Sequence, residues 1–201
     1  MTATVMSARQ RLFRAEEPEW LVWVMAAALL AIGLIARTIV VNRATSFNDG
    51  GVAVSYPADW TPIASDAPGA VLSVGEPFGN LFPARLTVQQ MPAADISRSA
   101  QSLGDLALKW SDDQAKNLLG YRVLSIEPTQ VRGKDAVRVD YAYVAEPAFA
   151  AADTVPVVAH GVDVLIRNAD TITVARMVAA SDAFEGLRGT WDRILGSLEL
   201  K

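Results

Sequence analysis

The pattern of apolar and polar positions begins with one long apolar stretch near the N-terminus. No charged residue occurs in LVWVMAAALLAIGLIA, from Leu21 to Ala36, and apolar residues resume after a two-residue polar interruption. The whole stretch, residues 20–41, has 22 residues, which gives roughly 33 Å of helix at about 1.5 Å per residue. The hydrocarbon core of a bilayer is about 30 Å thick. The pattern therefore predicts one transmembrane helix at residues 20–41, after a short cytoplasmic tail at residues 1–19.

Three kinds of residue support a membrane anchor. Tryptophans at one end suit the membrane–water interface, and an arginine at the other end can extend its long side chain to the head groups. Small residues in an alanine-xxx-alanine pattern permit close packing against another membrane helix. The predicted anchor residues are Trp20, Trp23, Ala27, Ala31, Gly33 and Arg37.

A permanent anchor fits the apolar stretch better than three alternatives. A cleaved signal peptide has a shorter apolar core of about 7–15 residues and a small-x-small cleavage site, and Leu34-Ile35-Ala36 and Asn42-Arg43-Ala44 match that site poorly. A buried helix of a water-soluble protein is rarely apolar on all sides for so long. Attachment through a lipid-modified cysteine is excluded, because the chain has no cysteine. A retained signal anchor is therefore the favoured interpretation.

The arginines flanking the stretch bear on its orientation. Arg9, Arg11 and Arg14 precede it, whereas Arg37 and Arg43 follow it. Basic residues concentrate on the cytoplasmic side of a membrane helix. This slight excess predicts a single-pass protein of the cell membrane, with a cytoplasmic N-terminus and an extracytoplasmic C-terminal domain.

After a predicted linker at residues 42–46, the pattern changes to short strands and two helices. Alternation is clearest in the strand with Val137, Val139, Tyr141 and Tyr143 on one face. The predicted strands cover residues 51–56, 70–74, 85–90, 121–127, 136–144, 162–166 and 171–178. The predicted helices are 102–119 and a C-terminal helix that contains Phe184 to Leu198 and is capped by Ser181 or Asp182.

The order of these elements predicts the fold class. Several neighbouring strands are joined by short turns, which favours antiparallel pairing. One helix in the middle of the domain and one at its end can cover the two faces of the sheet. We therefore expect an α+β fold with a largely antiparallel sheet flanked by helices, an α/β/α sandwich, over residues 47–201.

Composition and charge narrow the range of functions. The 201-residue chain has a formal net charge of −4, and residues 45–201 contain 13 basic and 19 acidic residues. An acidic domain is a poor partner for nucleic acid, which binds dense basic surfaces. One histidine and no cysteine exclude zinc–cysteine and multi-histidine metal sites.

No motif for catalysis or cofactor binding is apparent. His160 could act in catalysis only beside a nucleophile or an acid, and it is interpreted as a turn or surface histidine. Asp105, Asp112 and Asp113 are interpreted as a solvent-exposed helix face, because adjacent helical residues point in different directions. The glycine-containing segment at residues 75–80 lacks a phosphate-binding pattern. We expect no enzyme activity, no cofactor and no metal.

Two apolar loops are candidate contacts with a protein partner. The loop at residues 77–83 carries Phe78 and Leu81, and the alanine-rich connection at residues 146–156 carries Phe149. Exposed apolar loops often mark interfaces. The alternative is that the aromatic residues of these loops pack in the core, and this is favoured for Phe82.

Residues 47–198 resemble the PsbP-like family. The resemblance rests on FNDGGVAVSYPADW, SLGDLALKW, VRGKDAVRVDYAY and FEGLRGTWDRILGSLEL. It implies a sheet flanked by helices and a mostly non-catalytic function, as in extrinsic photosystem subunits and bacterial surface lipoproteins. The predicted transmembrane helix departs from the better-known members, and no functional residue of the family is carried over.

These observations favour a non-catalytic, membrane-anchored accessory subunit of bacterial type. It would dock on integral membrane subunits and stabilise the extracytoplasmic face of a larger complex, which the resemblance suggests is an energy-transducing one, photosynthetic or respiratory. One alternative is a tethered module that binds a small ligand or peptide in a pocket lined by Trp60, Phe78 or Trp110. Another is an enzyme that uses His160.

Overall fold

The computed structural model describes residues 19–41, 43–77, 82–93, 102–146, 155–168 and 171–201. The chain divides into two compact units, Met1–Asn42 and Arg43–Lys201. The other helices and strands that the structure describes belong to the second unit.

The first unit contains helix α1, Glu19–Val41, which has 23 residues. Side chains in α1 are described from Trp20 to Leu34 and at Arg37, and all of them are exposed. Among the described residues, no helix is both long and apolar enough to cross a membrane. The helix predicted at residues 20–41 is present, and its location in a membrane stays a prediction.

The described part of the second unit forms ten strands and two helices. The strands are β1 Ala44–Asp49, β2 Val52–Pro57, β3 Thr61–Pro62, β4 Ala70–Gly75, β5 Arg85–Pro92, β6 Arg122–Val131, β7 Lys134–Ala145, β8 Val157–Asn168, β9 Thr171–Ala180 and β10 Glu199–Leu200. The helices are α2 Leu103–Asn117 and α3 Phe184–Ser197.

The strands form two antiparallel sheets. Seven of them are ordered β3-β4-β5-β9-β8-β7-β6, and a smaller sheet has the order β1-β2-β10. Every described strand pairing is antiparallel. The α+β class with antiparallel sheets flanked by helices is therefore confirmed.

Each face of the seven-stranded sheet has its own apolar core. On one face, Trp110 of α2 packs in a cluster with Leu165 of β8. On the other face, Trp191 of α3 packs in a cluster with Val164 of β8, and the small sheet contributes Val54. Adjacent residues of a strand point to opposite faces, so the apolar run in β8 follows from its burial on both sides.

The linker predicted at residues 42–46 requires correction, because β1 begins at Ala44. This strand pairs with β2 across a turn at Gly50 and Gly51, whose φ angles are 58° and 76°. Positive φ costs glycine little. The strand is largely exposed and polar, so it lacks the alternation by which strands are recognised in a sequence.

The caps of the two helices differ from each other. Ser102 and Asp105 form a reciprocal capping box at the start of α2. The cap predicted for α3 from Ser181 or Asp182 is not made, because Ala183 occupies the N-cap position without a side-chain hydrogen bond. The turn that leaves β9 places the two polar residues before the cap position.

Candidate functional site

The carboxylate of Asp163 is completely buried and accepts hydrogen bonds from three side chains. Arg176 donates to it through Nε at 2.9 Å and Nη2 at 2.8 Å. The indole Nε1 of Trp110 donates at 2.6 Å and the hydroxyl of Tyr141 at 3.0 Å. Each carboxylate oxygen therefore accepts two hydrogen bonds, and the buried charge is both paired and solvated by protein groups.

Strand register brings these residues together. Asp163 of β8 lies directly opposite Arg176 of β9, and Tyr141 of β7 lies directly opposite Gly161. A Cβ atom at position 161 would be 2.3 Å from Cζ of Tyr141. The absence of a side chain there allows the tyrosine ring to lie across β8 and reach Asp163. The helix α2 supplies Trp110 from above the sheet.

The electrostatics of the cluster keep Arg176 charged and the phenol of Tyr141 neutral. Burial alone lowers the pKa of Arg176, but the negative charge of Asp163 outweighs it and the net pKa is raised. Burial, followed by the charge of Asp163, raises the pKa of Tyr141 well above 10. The guanidinium also lies 5.4 Å from the ring centre of Trp110, a favourable cation–π distance. With its acceptor positions used, the cluster has no free base and joins α2 to the sheet.

Two more tyrosines extend the aromatic part of this face. The ring centres of Tyr121 and Tyr143 lie 5.1 Å and 6.1 Å from that of Tyr141. The buried hydroxyl of Tyr121 has no hydrogen bond of acceptable geometry, and burial raises its pKa despite an opposing effect of Ser111. These phenols are therefore protonated at neutral pH.

His160 lies on the opposite face, which corrects its interpretation as a turn or surface residue. It is in β8, its side chain is 20% exposed, and its ring stacks on Phe184 of α3 at 3.8 Å. Its Nε2 is 3.7 Å from Asp140, which is too long for a hydrogen bond. Asp140 instead accepts two hydrogen bonds from Arg138, at 2.6 and 2.9 Å. Burial lowers the pKa of His160 although Asp140 acts in the opposite direction.

A charged groove lies near His160, between strands β6 and β7 and helix α3. Its volume is about 540 Å³, and a neighbouring depression of about 280 Å³ shares Thr129, Arg138 and Asp192 with it. Hydrogen bonding to Asp140 raises the pKa of Arg138 despite partial burial. The groove is lined by Ser125, Glu127, Pro128, Thr129, Arg138, Asp140, Arg188 and Asp192.

The predicted contact and pocket residues are described only in part. The candidate contacts Phe78, Leu81 and Phe149 lie outside the described residues. Trp60 and Trp110, proposed to line a pocket, are only 5% and 7% exposed and belong to the two separate cores.

Three further observations concern Phe82, the acidic residues of α2 and possible metal ligands. Phe82 is 6% exposed and packs in a small core cluster, which confirms its expected burial. Asp113 pairs with Lys116 on the exposed face of α2. No group of three potential ligands among the described residues could hold a metal.

Comparisons with known proteins identify the fold. No known family matches the sequence, and no curated protein matches it. The structure is similar to cyanobacterial PsbP (CyanoP) from Synechocystis sp. PCC 6803, with a TM-score of 0.56 and 12% identity over 79% of this chain and 92% of that chain. The domain has a PsbP-like fold.

Two other solved structures are similar to this PsbP-like domain. One is PA94, a protein of unknown function from Pseudomonas aeruginosa, with a TM-score of 0.53 and 12% identity over 80% of this chain and 99% of that chain. The other is the Ran-binding protein Mog1p of Saccharomyces cerevisiae, with a TM-score of 0.52 and 10% identity over 79% and 95%. At these identities the likeness establishes the fold alone.

The central polar cluster of the PsbP-like domain was not predicted, although the sequence contains a signal for it. Asp163 and Arg176 are isolated charges within the apolar segments GVDVLI and TITVARMV. A charge inside a buried strand requires a partner. Two such charges of opposite sign in adjacent strands predict a buried ion pair, and this criterion would have found it.

Strand β6 is an exposed edge of the PsbP-like domain. It is the last strand of the seven-stranded sheet, and β7 is its one described strand neighbour. Its exposed residues are Arg122, Val123, Leu124, Glu127, Pro128 and Gln130. This edge and the charged groove beside it are the domain's candidate contact surface.

Proposed function

We propose that the protein is a non-catalytic, single-pass membrane-anchored accessory subunit whose PsbP-like domain docks on the extracytoplasmic face of a larger membrane complex. The observation that carries the proposal is the exposure of α1. Every side chain from Trp20 to Leu34 is exposed, although nearly all are apolar. Such a surface on all sides of a helix is unfavourable in water and favourable in a bilayer.

The predicted membrane anchor extends beyond Leu34, where the continuous run of described side chains in α1 ends. The apolar stretch continues to Val41, and α1 is helical over 23 residues. The length needed to cross a bilayer is about 20 residues. The prediction of an anchor therefore depends on the full stretch at residues 20–41.

The surface of the domain supports docking more than capture of a small ligand. Ligand pockets are mostly apolar and concave, whereas the groove beside α3 is lined largely by charged and polar side chains. Interfaces between separately folded proteins have about the same apolar fraction as the rest of the surface and a polar, solvent-accessible rim, so the groove and the exposed apolar residues beside it are compatible with one. Binding of a small ligand or peptide by a tethered domain remains the second candidate function, because the groove is large enough to admit one.

The polar clusters support a non-catalytic function. A general base needs a free lone pair within hydrogen-bonding reach of its substrate. The carboxylate of Asp163 is enclosed by four donors. His160 is stacked against Phe184, and its Nε2 is buried. Neither group is presented to a substrate.

The anchor is tested by charge insertion in the full chain. Leu29 and Leu30 of α1 are each 66% exposed, and Leu108 of α2 is 57% exposed. Arginine at the centre of a membrane helix costs about 2.5–3.5 kcal/mol. Replacing both Leu29 and Leu30 by arginine should move the protein out of the carbonate-resistant membrane pellet, whereas Leu108→Arg should leave it there. Wild-type protein in the aqueous fraction would refute the anchor.

Docking is tested separately by gentle detergent solubilisation and native electrophoresis. The full chain should migrate with integral membrane proteins, and charge reversal at Asp192 in the groove should weaken that association. Migration without other proteins, from a protein that remains in the membrane pellet, would contradict the accessory function while leaving the anchor intact. A low-molecular-mass compound retained after purification would favour the second candidate function.

A further inference from the structure

The long exposed edge of β6 requires an explanation. The strand extends from Arg122 to Val131, and most of its residues are exposed. Its backbone is paired with β7 on one side, and no described strand lies on the other side. An unpaired strand edge is a template for adding another strand, and proteins usually keep such edges short or cover them. At the other end of the sheet, β3 has only two residues.

The charges on this edge are self-complementary. In a two-fold symmetric antiparallel pair of β6 strands, Arg122 of one copy can lie opposite Glu127 of the second copy, and the same pair then recurs across the axis. Arg122 faces the same side of the sheet as Glu127, because their partners in β7 are Ala142 and Arg138. Both side chains are exposed. Opposite charges directly across an antiparallel pair are stabilising.

The residues between these charges also match. The same register places Val123 opposite Ile126 and Leu124 opposite Ser125. Val123 and Leu124 are 38% and 54% exposed, so pairing would cover apolar surface. The register shift between Val123 and Ser125 marks a β-bulge at Leu124. The symmetry axis would pass beside the bulge of both copies, so the two local distortions coincide.

The residues that follow Glu127 limit the pairing to the segment Arg122–Glu127. Pro128 lacks a backbone N–H and cannot donate to an added strand. Arg132, just beyond the strand, is held by Glu199 at 2.8 Å and by the carbonyl of Gly196 at 3.1 Å. A pairing confined to Arg122–Glu127 buries little area, and we expect reversible association at high local concentration.

We propose that two copies of this chain associate through an antiparallel pairing of their β6 strands, centred between Leu124 and Ser125, with Arg122 of each copy opposite Glu127 of the other. The occupant of the edge is thus a second copy of the chain. This inference goes beyond the proposed function, because it requires no other protein.

Cysteine cross-linking in the full detergent-solubilised chain tests the pairing. The natural chain has no cysteine. A single introduced cysteine is therefore the one thiol of each copy, and the cross-linking yield measures how close that position comes to its counterpart in a second copy. Leu124→Cys should be cross-linked to a dimer by a short bismaleimide. The matched control is Leu108→Cys on α2, since these leucines are 54% and 57% exposed. Equal dimer yields at the two positions would overturn the proposal.

Charge reversal tests the register. In the Leu124→Cys background, Arg122→Glu places two carboxylates opposite each other, and Glu127→Arg places two guanidinium groups opposite each other. Each change should lower the dimer yield by about tenfold. Mixing the two variants restores both opposite-charge pairs, because one copy carries acidic residues at both positions and the other carries basic residues.

The mixture also controls for folding. Glu127→Arg faces Arg138 within its own copy, and this local repulsion is the same in the pure and the mixed sample. Recovery of a heterodimer between differently tagged copies therefore reports pairing between copies and not folding. Undiminished dimer from the single variants, or no recovery in the mixture, would overturn the pairing. A monomer at every concentration would do the same.

Discussion

At the scale of single residues, one buried carboxylate organises the face of the sheet below α2. Asp163 is completely buried and is held by Arg176 in a bidentate pair. A buried ion pair is expensive to desolvate, so its net contribution to stability is small, but removal of one partner leaves an uncompensated charge. Removing one partner of the pair is therefore expected to change the free energy of unfolding more than the intact pair contributes to it.

The first prediction concerns this pair. Asp163→Asn should lower the free energy of unfolding by about 3 kcal/mol, because Arg176 would stay buried without a counter-charge. Urea denaturation followed by tryptophan fluorescence measures the change. Asp113→Asn, in the exposed pair with Lys116, should leave the denaturation midpoint nearly unchanged.

A double replacement checks the physical reason for this prediction. Asp163→Leu combined with Arg176→Met removes both charges, and apolar residues of similar size often replace a buried ion pair at little cost. The double variant should therefore be more stable than Asp163→Asn. If it is less stable, the loss comes from the hydrogen bonds of Trp110 and Tyr141 and not from the unpaired charge.

The second prediction concerns two glycines. A Cβ atom at Gly161 would lie 2.3 Å from the ring of Tyr141, whereas one at Gly189 of α3 would meet nothing within 4 Å. Gly161→Ala should destabilise the domain by about 1–3 kcal/mol through overpacking. Gly189→Ala should stabilise it by up to about 1 kcal/mol, because alanine favours the helix. Thermal unfolding of both variants gives the comparison, and a neutral Gly161→Ala would contradict the packing argument.

At the scale of elements, the centres of the strands were easier to predict from the sequence than the exposed edge strand β1 and the helix caps. The centres of β7, β8 and β9 were predicted from apolar alternation or apolar runs, and the structure confirms them. The strand β1 was missed because it is polar and exposed. A cap from Ser181 or Asp182 was predicted for α3, yet of these two helices only α2 has a side-chain cap.

The third prediction uses this difference between the helices. Ser102 accepts a hydrogen bond from the backbone N–H of Asp105 at 3.1 Å, and loss of such a cap costs about 1 kcal/mol. Ser102→Ala should therefore lower the unfolding midpoint. Ser181→Ala should not, because α3 begins without a side-chain cap. A similar loss in both variants, measured by chemical denaturation, would count against the capping assignment.

At the scale of the whole domain, two separate cores share one sheet, and His160 lies where the sheet meets α3. Its ring stacks on Phe184. Asp140 and Arg138 of β7 and Glu185 of α3 are the charged groups that influence its titration. Because burial lowers the pKa of His160 below its ordinary value of 6.5, its neutral form is preferred in the folded state.

The fourth prediction is a pH dependence of stability that arises from His160. As the pH falls through 6.5, the unfolded chain binds a proton before the folded chain does, so the folded state loses stability toward the lower folded pKa. Denaturation midpoints at about pH 8 and about pH 5.5 should differ in the natural chain. The difference should shrink in His160→Leu, and an unchanged difference would assign it to other groups.

Features that depend on local pattern could be predicted from the sequence alone. Apolar periodicity located the strands from β4 to β9 and the helices α2 and α3, because burial on one or both faces leaves a regular pattern of apolar residues in a segment. The helix from Glu19 to Val41 was located by the apolar stretch at residues 20–41, which only Arg37 and Thr38 interrupt. Short turns between strands were sufficient to predict antiparallel pairing and the α+β class.

Which distant residues come into contact depends on tertiary packing. Asp163, Arg176, Tyr141 and Trp110 come from three strands and a helix, and their contact depends on the register of each pair and on the open space at Gly161. The free edge of β6 likewise depends on the order of strands in the sheet, which local pattern does not encode. Register and strand order arise from packing between segments, so one sequence pattern is compatible with several arrangements until the whole chain is folded.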